Sequence, residues 1–237
     1  MRADKILANM GYGSRKEVKK LLKKGGFSVN GETVKDGKVH VDPDKDMLEV
    51  FGERLEYKQF IYLMMNKPQG YVSATEDLKE SAVTEILEAE DALYNPFPVG
   101  RLDKDTTGLL LLSNDGKLAH KLTSPKKKVD KTYLVHLDSP VSEEDIDSLE
   151  KGVTLDDGYV TRPAKVERIE GKEADTVRIT IHEGKFHQVK RMFQTRGKKV
   201  IRLKRERIGP LYLDETLDLG TYRELTEDEL QNLINST

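Results

Sequence analysis

The stretch Val99-Gly100-Arg101-Leu102-Asp103-Lys104-Asp105-Thr106-Thr107-Gly108 is polar and runs directly into Leu109-Leu110-Leu111-Leu112. It offers one arginine, two carboxylates, two hydroxyls and two glycines at which a ligand can approach the backbone. Pro96 and Pro98 stiffen the approach, and the four leucines predict a deeply buried strand. A loop tethered to such a strand is a rigid mount for a reactive group. A carboxylate there is already ionised near neutral pH, which suits covalent catalysis. A plain turn, in which an Asp caps backbone amides, accounts for the same residues equally well.

Three other stretches hold chemically capable side chains. Lys131-Thr132-Tyr133-Leu134-Val135 predicts a strand carrying a phenol that can stack or move a proton. Glu183-Gly184-Lys185-Phe186-His187-Gln188-Val189-Lys190-Arg191-Met192-Phe193 gathers cations, a His and a Gln at the start of a predicted helix. Asn66-Lys67-Pro68-Gln69-Gly70-Tyr71-Val72-Ser73 follows an apolar run, Phe60 to Met65. A phosphate-ester hydrolase built on Asp103, Asp105, Asp115 and Mg²⁺ would want carboxylates from several strand ends, and no such pattern stands out. The five His lack HxH or HxxxH spacing, so no metal site is expected.

The elements that must position these residues follow from periodicity and caps. Residues 2–9 predict a short helix, and Ser14 with Glu17 a capping box for a second helix over 15–24. Val18, Leu21 and Leu22 share one face of that helix, leaving Lys16, Lys19, Lys20, Lys23 and Lys24 on the other. Short strands follow at 27–29, around Val34, Val39 and Val41, and at 47–50, with Asn30-Gly31 as a turn signal. The charged stretch 52–59 reads as a linker, dividing the chain into domains at 1–55 and 60–237. Beyond it, strands are expected at 60–65, 109–112, 132–137, 160–167 and 176–182, and helices at 81–88, 116–122, 142–150, 187–196 and 226–234. Strands and helices mingle without strict alternation, which predicts an α+β fold with a mostly antiparallel sheet.

Composition narrows the function. With 36% hydrophobic and 35% charged residues and no Cys, the 237-residue chain can form no disulfide, thiolate metal site or cysteine nucleophile. It has no apolar run of about 18 residues to span a membrane, and its charged N-terminus lacks a signal-peptide core. These features predict the cytoplasm and no membrane partner. The net charge of −2 hides two basic blocks. Residues 1–40 hold ten Lys/Arg against four acids, and 182–207 hold ten against two, while acids dominate 142–157. That pattern predicts a polyanion-binding face with an acidic back.

The first fifty residues resemble the S4 RNA-binding domain, on Arg2, Asp4, Lys5, Leu7, Ser14-Arg15, Val29-Asn30-Gly31 and the alternating valines. The resemblance implies that Arg15, Lys16, Lys19, Lys20 and Lys23 face folded RNA. The remainder resembles the pseudouridine synthases of the RsuA branch, which act on small-subunit rRNA. Its signature GRLDxxTxGLL is present from Gly100 to Leu110, and KPxG, KxYLV and the HQVKRMF motif follow the same family.

This resemblance implies that Asp103 is the nucleophile, attacking the target uridine at the base or at ribose C1′ so that the uracil detaches, turns and re-forms as a C-glycoside. Asp105 occupies a variable position of the signature. Tyr133 should lie against the target base, and the KPxG segment should brace the active-site loop. Lys190 should pair with Asp103, with Arg191 as the alternative one residue on. Arg101, Thr107, His187, Gln188 and Arg191 are expected to contact substrate RNA. The implied partner is ribosomal RNA or a small-subunit assembly intermediate, bound by a monomer that uses no cofactor. The alternatives are a large-subunit rRNA enzyme of the same superfamily and a non-catalytic rRNA-binding assembly protein.

Overall fold

The computed structural model describes residues 1–236. By its internal packing the chain divides into two units, Met1–Ile61 with Glu88–Asn95, and Tyr62–Leu87 with Pro96 onward. The segment Glu88–Asn95 lies inside the span expected for the second domain, yet it packs with the first unit.

In the first unit, α1 (Ala3–Asn9) and α2 (Arg15–Lys23) precede β1 (Phe27–Val29), β2 (Glu32–Thr33), β3 (Leu48–Val50) and β4 (Glu53–Arg54). The Glu17 carboxylate accepts hydrogen bonds from Ser14 N at 2.7 Å and Ser14 Oγ at 2.6 Å, closing the start of α2. Ile6, Leu7, Val18, Leu22, Phe27 and Leu48 form the core. Arg15, Lys16, Lys19, Lys20 and Lys23 are exposed on the opposite face of α2. The four strands make one small antiparallel sheet in the order β2-β1-β3-β4. Two expectations fail here. Val34, Val39 and Val41 lie outside the strands, and Glu53–Arg54, expected in a linker, pairs as an edge strand with β3. The polar composition of 52–59 suits an exposed edge as well as it suits a linker. The helix α3 (Ala89–Ala92) completes the unit through its flank, where Tyr94 Oη donates to Met10 Sδ at 3.4 Å.

The second unit is built on a nine-stranded sheet. In chain order its elements are β5 (Tyr62–Lys67), a 3₁₀ turn Val83–Ile86, β6 (Phe97–Pro98), β7 (Thr107–Ser113), α4 (Gly116–Thr123) and β8 (Lys131–Leu137). Next come α5 (Glu143–Lys151), β9 (Lys165–Arg168), β10 (Thr176–Ile181), α6 (Gln188–Gln194), β11 (Val200–Ile208), β12 (Leu211–Tyr212), β13 (Tyr222–Glu224) and α7 (Glu227–Asn235). The strand order is β13-β5-β7-β11-β8-β10-β9, with β12 beside β11 and β6 beside β7. Every pairing is antiparallel except β7 with β11. The fold is therefore α+β with a mostly antiparallel sheet, as the mingled periodicities predict.

The helix expected at 81–88 is only the 3₁₀ turn, and the strand expected at 160–167 begins at Lys165, since Val160 sits in an exposed loop. The larger departure is β11, which lies at the middle of the sheet in the stretch expected to be an RNA-facing basic block. Leu109, Leu110, Leu111 and Leu112 of its parallel neighbour are fully buried. At the crossing, Gly108 (φ +99°) comes so close to β11 that an added Cβ would lie 2.3 Å from the Arg205 carbonyl oxygen. No residue with a side chain fits there without moving a strand.

Candidate active site

The Arg101–Thr106 loop enters β7, and the exit of β5 holds it from below. Lys67, the last residue of β5, is fully enclosed, and its Nζ lies within hydrogen-bond distance of four carbonyl oxygens. These belong to Pro68 (2.9 Å), Asp103 (3.2 Å), Lys104 (3.4 Å) and Thr106 (3.1 Å). Ser73 Oγ donates to Leu102 O at 2.9 Å and accepts from Leu102 N at 3.0 Å, while Gly70 N donates to Lys104 O at 2.9 Å. Residues 67–73 thus brace the loop through its backbone and leave its side chains free.

Burial pushes Lys67 down to about 8, against the opposing pull of Asp105 and Asp103. Between about pH 8 and the unfolded lysine value near ~10.4, the unfolded chain binds more protons at this position, so its contribution to stability rises with pH. Lys67→Met should destabilise the protein by roughly 1–3 kcal/mol at neutral pH, because buried carbonyls lose their donor. The gap between wild type and variant should then widen as pH rises from 8 towards 10. Denaturant melts of both proteins across that range measure it, and a gap that stays constant would show that Lys67 does not titrate there.

The braced loop aims Asp103 at the first turn of α6. Lys190 Nζ lies 3.0 Å from Asp103 Oδ2 and 2.6 Å from Asp105 Oδ1, so one ammonium is shared by two carboxylates. Burial would lower Lys190, but its bonds to Asp105 and Asp103 outweigh this and raise it above the ordinary lysine value. Lys190 is therefore a fixed cation at neutral pH. Asp103 is partly covered at 28% exposure, whereas Asp105 is open at 70%. His187 Nε2 stands 3.6 Å from Asp103 Oδ1. Its backbone is left-handed (φ 49°), and its ring stacks on the exposed Phe186 with centroids 3.8 Å apart.

Asp103, Tyr133, Lys190, Arg101 and His187 line one cavity of about 1030 Å³. Tyr133 is 8% exposed and reaches it from β8. Two expected contacts, Arg191 and Thr107, are placed elsewhere, whereas Gln188 lines the same cavity. Arg191 turns away from Asp103 and pairs with Asp156 Oδ1 (Nε, 2.6 Å) and Asp157 Oδ2 (2.7 Å). Gln188 is buried, donating to Glu183 Oε1 at 2.7 Å and accepting from Lys185 N at 2.9 Å, so it fixes the turn before α6. Thr107 Oγ1 donates to Leu203 O at 3.4 Å and lies outside the cavity lining, where Thr106 takes its place.

The expected basic face with an acidic back is likewise corrected. Arg196 pairs with Glu144 (3.2 Å) and Asp145 (3.0 Å), and Lys198 with Asp145 (3.2 Å). Burial opposes ionisation of Asp145, but hydrogen bonds from Ser142, Arg196 and Lys198 hold it well below the usual carboxylate range. Three of the ten cations of the second basic block, Arg191, Arg196 and Lys198, are thus paired with acids of 143–157. Asp115 caps α4 at the far end of β7 from Asp103, accepting from Lys117 N at 2.9 Å and Leu118 N at 3.1 Å. Among the described residues no group of three His, Asp or Glu could hold a metal ion.

Two cavity-lining residues carry no expected role, the half-buried Lys131 and the buried Arg205. Arg205 was hidden by its place among the lysines and arginines of 198–207.

A nine-stranded α+β sheet whose central loop holds a carboxylate against a lysine of α6 beside a cavity, in a chain that also carries a small unit with a basic helix face, fits an RNA-modifying enzyme. The chain belongs to the RNA pseudouridylate synthase family, which residues 61–195 match, and residues 1–46 match the S4 domain. It is 55% identical to the uncharacterized RNA pseudouridine synthase YtzG of Bacillus subtilis, over 98% of both chains. It is 39% identical to ribosomal small subunit pseudouridine synthase A of Escherichia coli K12, over 99% of this chain and 100% of that one. A crystal structure of a pseudouridylate synthase superposes with a TM-score of 0.69 at 38% identity, covering 98% of this chain and 99% of the other.

Proposed function

We propose that the chain converts a specific uridine of 16S, small-subunit, ribosomal RNA to pseudouridine, with Asp103 as the nucleophile. One observation carries the assignment within the family. Asp103 is the carboxylate that is partly covered, paired with a half-buried cation and placed on a braced loop in the same cavity as Tyr133. The carboxylate attacks ribose C1′ or the base, the uracil detaches and turns, and a carbon–carbon glycosidic bond replaces the carbon–nitrogen one. Lys190 pairs with the carboxylate and keeps it aimed, and Tyr133 packs against the ring with a phenol able to move a proton. Arg101 and His187 meet the RNA at the cavity rim. The small-subunit target is supported by the full-length similarity to the Escherichia coli enzyme of that name.

The substrate is rRNA or a small-subunit assembly intermediate, met in the cytoplasm by a monomer. Incubating the purified chain with unmodified rRNA and mapping pseudouridine at nucleotide resolution tests this. A single new site in 16S rRNA is expected. Modification confined to large-subunit rRNA would move the target, and none on any RNA would leave only a binding protein.

Arg15, Lys16, Lys19, Lys20 and Lys23 supply affinity through phosphates, with little sequence reading. Replacing Lys19, Lys20 and Lys23 together by Gln should weaken rRNA binding and flatten log K against log salt by about 2–3. An unchanged slope would remove α2 from the interface.

A further inference from the structure

Arg205 is 2% exposed and has no carboxylate partner among the described residues. Its Nε donates to Leu109 O at 2.8 Å, and Nη2 is enclosed without an acceptor. A buried guanidinium left with one protein acceptor for its five N–H groups is costly unless something else accepts from it.

Its surroundings indicate what does. In the sheet register Arg205 lies beside Tyr133 on β8 and Gly108 on β7, so it projects on the same face as the phenol. Leu203, two residues earlier, and Ile181 on β10 line the same cavity. Lys131 lies two residues before Tyr133, and burial together with the nearby Arg205 pushes it down to about 8. The floor therefore combines apolar side chains and a phenol with two cations. That suits a flat heterocycle bearing carbonyl oxygens, whereas a phosphate would not exploit the apolar part.

We propose that Arg205 is a further catalytic residue, whose guanidinium donates to a carbonyl oxygen of the target uracil and stabilises the negative charge that develops there. This rests on the pseudouridine synthase reading above. Charge reaches the ring carbonyls by either route. If the Asp103 carboxylate attacks C1′, a carbon–oxygen ester bond forms and the C1′–N1 bond breaks. The released pair then passes to N1 and is shared with O2 and O4. If it attacks C6, a C6–O bond forms and the C5=C6 pair moves through C4 onto O4. Preorganised donors aimed at developing oxyanion charge are commonly worth about 10²–10³-fold in rate. A cytosine presents an amino group in place of O4, so a donor facing that position also favours uracil over cytosine.

The test is a cycle of enzyme and substrate changes read in single-turnover reactions. Wild type, Arg205→Met and Arg205→Lys are compared on rRNA carrying uridine, 2-thiouridine or 4-thiouridine at the target, since sulfur is a poor hydrogen-bond acceptor. Arg205→Met should lose about 10²-fold or more in rate, with rRNA affinity changed far less, and Arg205→Lys should recover part of the loss. Wild type should be slowed on one thio-substrate, and that penalty should shrink to near nothing in Arg205→Met. A merely structural role leaves the penalty intact, so full penalties on both analogues in the variant would overturn the proposal. So would a wild type slowed by neither. Should Arg205→Met fail to fold by thermal melting, Arg205→Lys carries the same cycle. Absence of pseudouridine with wild type on unmodified rRNA would instead sink the parent reading, and the role of Arg205 with it.

Discussion

An Asp103→Asn enzyme is expected to form no pseudouridine above background, a loss of roughly 10⁴-fold or more, while folding and binding rRNA much as wild type does. The amide is nearly isosteric with the carboxylate, so the loop keeps its shape and no cavity opens. Its backbone anchors, Lys67, Ser73 and Gly70, are untouched. Nucleophilicity is removed, together with the charge that faces Lys190. Asp105→Asn is the internal comparison, because Asp105 shares the same lysine yet is largely open to solvent. It should cost no more than about tenfold, as expected when an exposed ion pair worth about 1 kcal/mol or less is lost. Single-turnover pseudouridine formation on one RNA measures both. Retained activity in Asp103→Asn with loss in Asp105→Asn would transfer the nucleophile to Asp105.

Lys190→Met should be the next most damaging change, slowing the reaction by about 10²–10³-fold. Methionine fills much the same space but leaves Asp103 and Asp105 facing each other without the cation between them. Lys190→Arg should keep far more activity, since the charge survives even though a planar fork replaces a point charge. Because bonds to both carboxylates raise Lys190 above the ordinary lysine value, its ion pairs are complete at neutral pH and weaken only as pH climbs beyond that value. Titration of Lys190 should thus leave no inflection in the pH–rate profile between 6 and 9. Arg191→Met serves as control. Its partners Asp156 and Asp157 lie away from Asp103, so the chemical step should be unaltered. If Arg191→Met instead stopped the reaction and Lys190→Met did not, the neighbouring residue would carry the ion-pair role.

How much of this was legible in the sequence depends on which forces wrote it. The Gly100–Leu110 loop and its four-leucine strand were legible because a burial pattern and a signature coincide there. Lys190 was legible only through register within the HQVKRMF motif, since Lys190 and Arg191 are both cations and spacing cannot tell them apart. The helix geometry sends one to Asp103 and the other to Asp156. The central strand β11 escaped notice because VIRLKRERI carries charge on both faces. One of those faces is the cavity wall, where Arg205 replaces the apolar residue that period-two alternation would demand. The acids of 142–157 looked like a solvated back, because ion pairing with Arg191, Arg196 and Lys198 is long-range in sequence. Sequence charge blocks report composition, and only packing reports which charges remain for a partner.

The parallel pairing of β7 with β11 also sets a timetable for the newborn chain. The strand that follows Asp103 ends at Ser113, but its neighbour is complete only at Ile208. At a synthesis rate of about 5–20 residues per second, β7 waits roughly 5–20 s for that partner. During that interval β5, β6 and α4 can already cover the leucines, but Thr107 and Gly108 stay unpaired on the β11 side. The pairing is a long-range closure, the kind that slows folding and leaves a strand edge open meanwhile. An early-terminated chain that stops before residue 200 has the nucleophile, the phenol and the lysine, yet lacks the wall against which all three are set. Such fragments should expose the unpaired edge of β7 and be prone to aggregation or proteolysis.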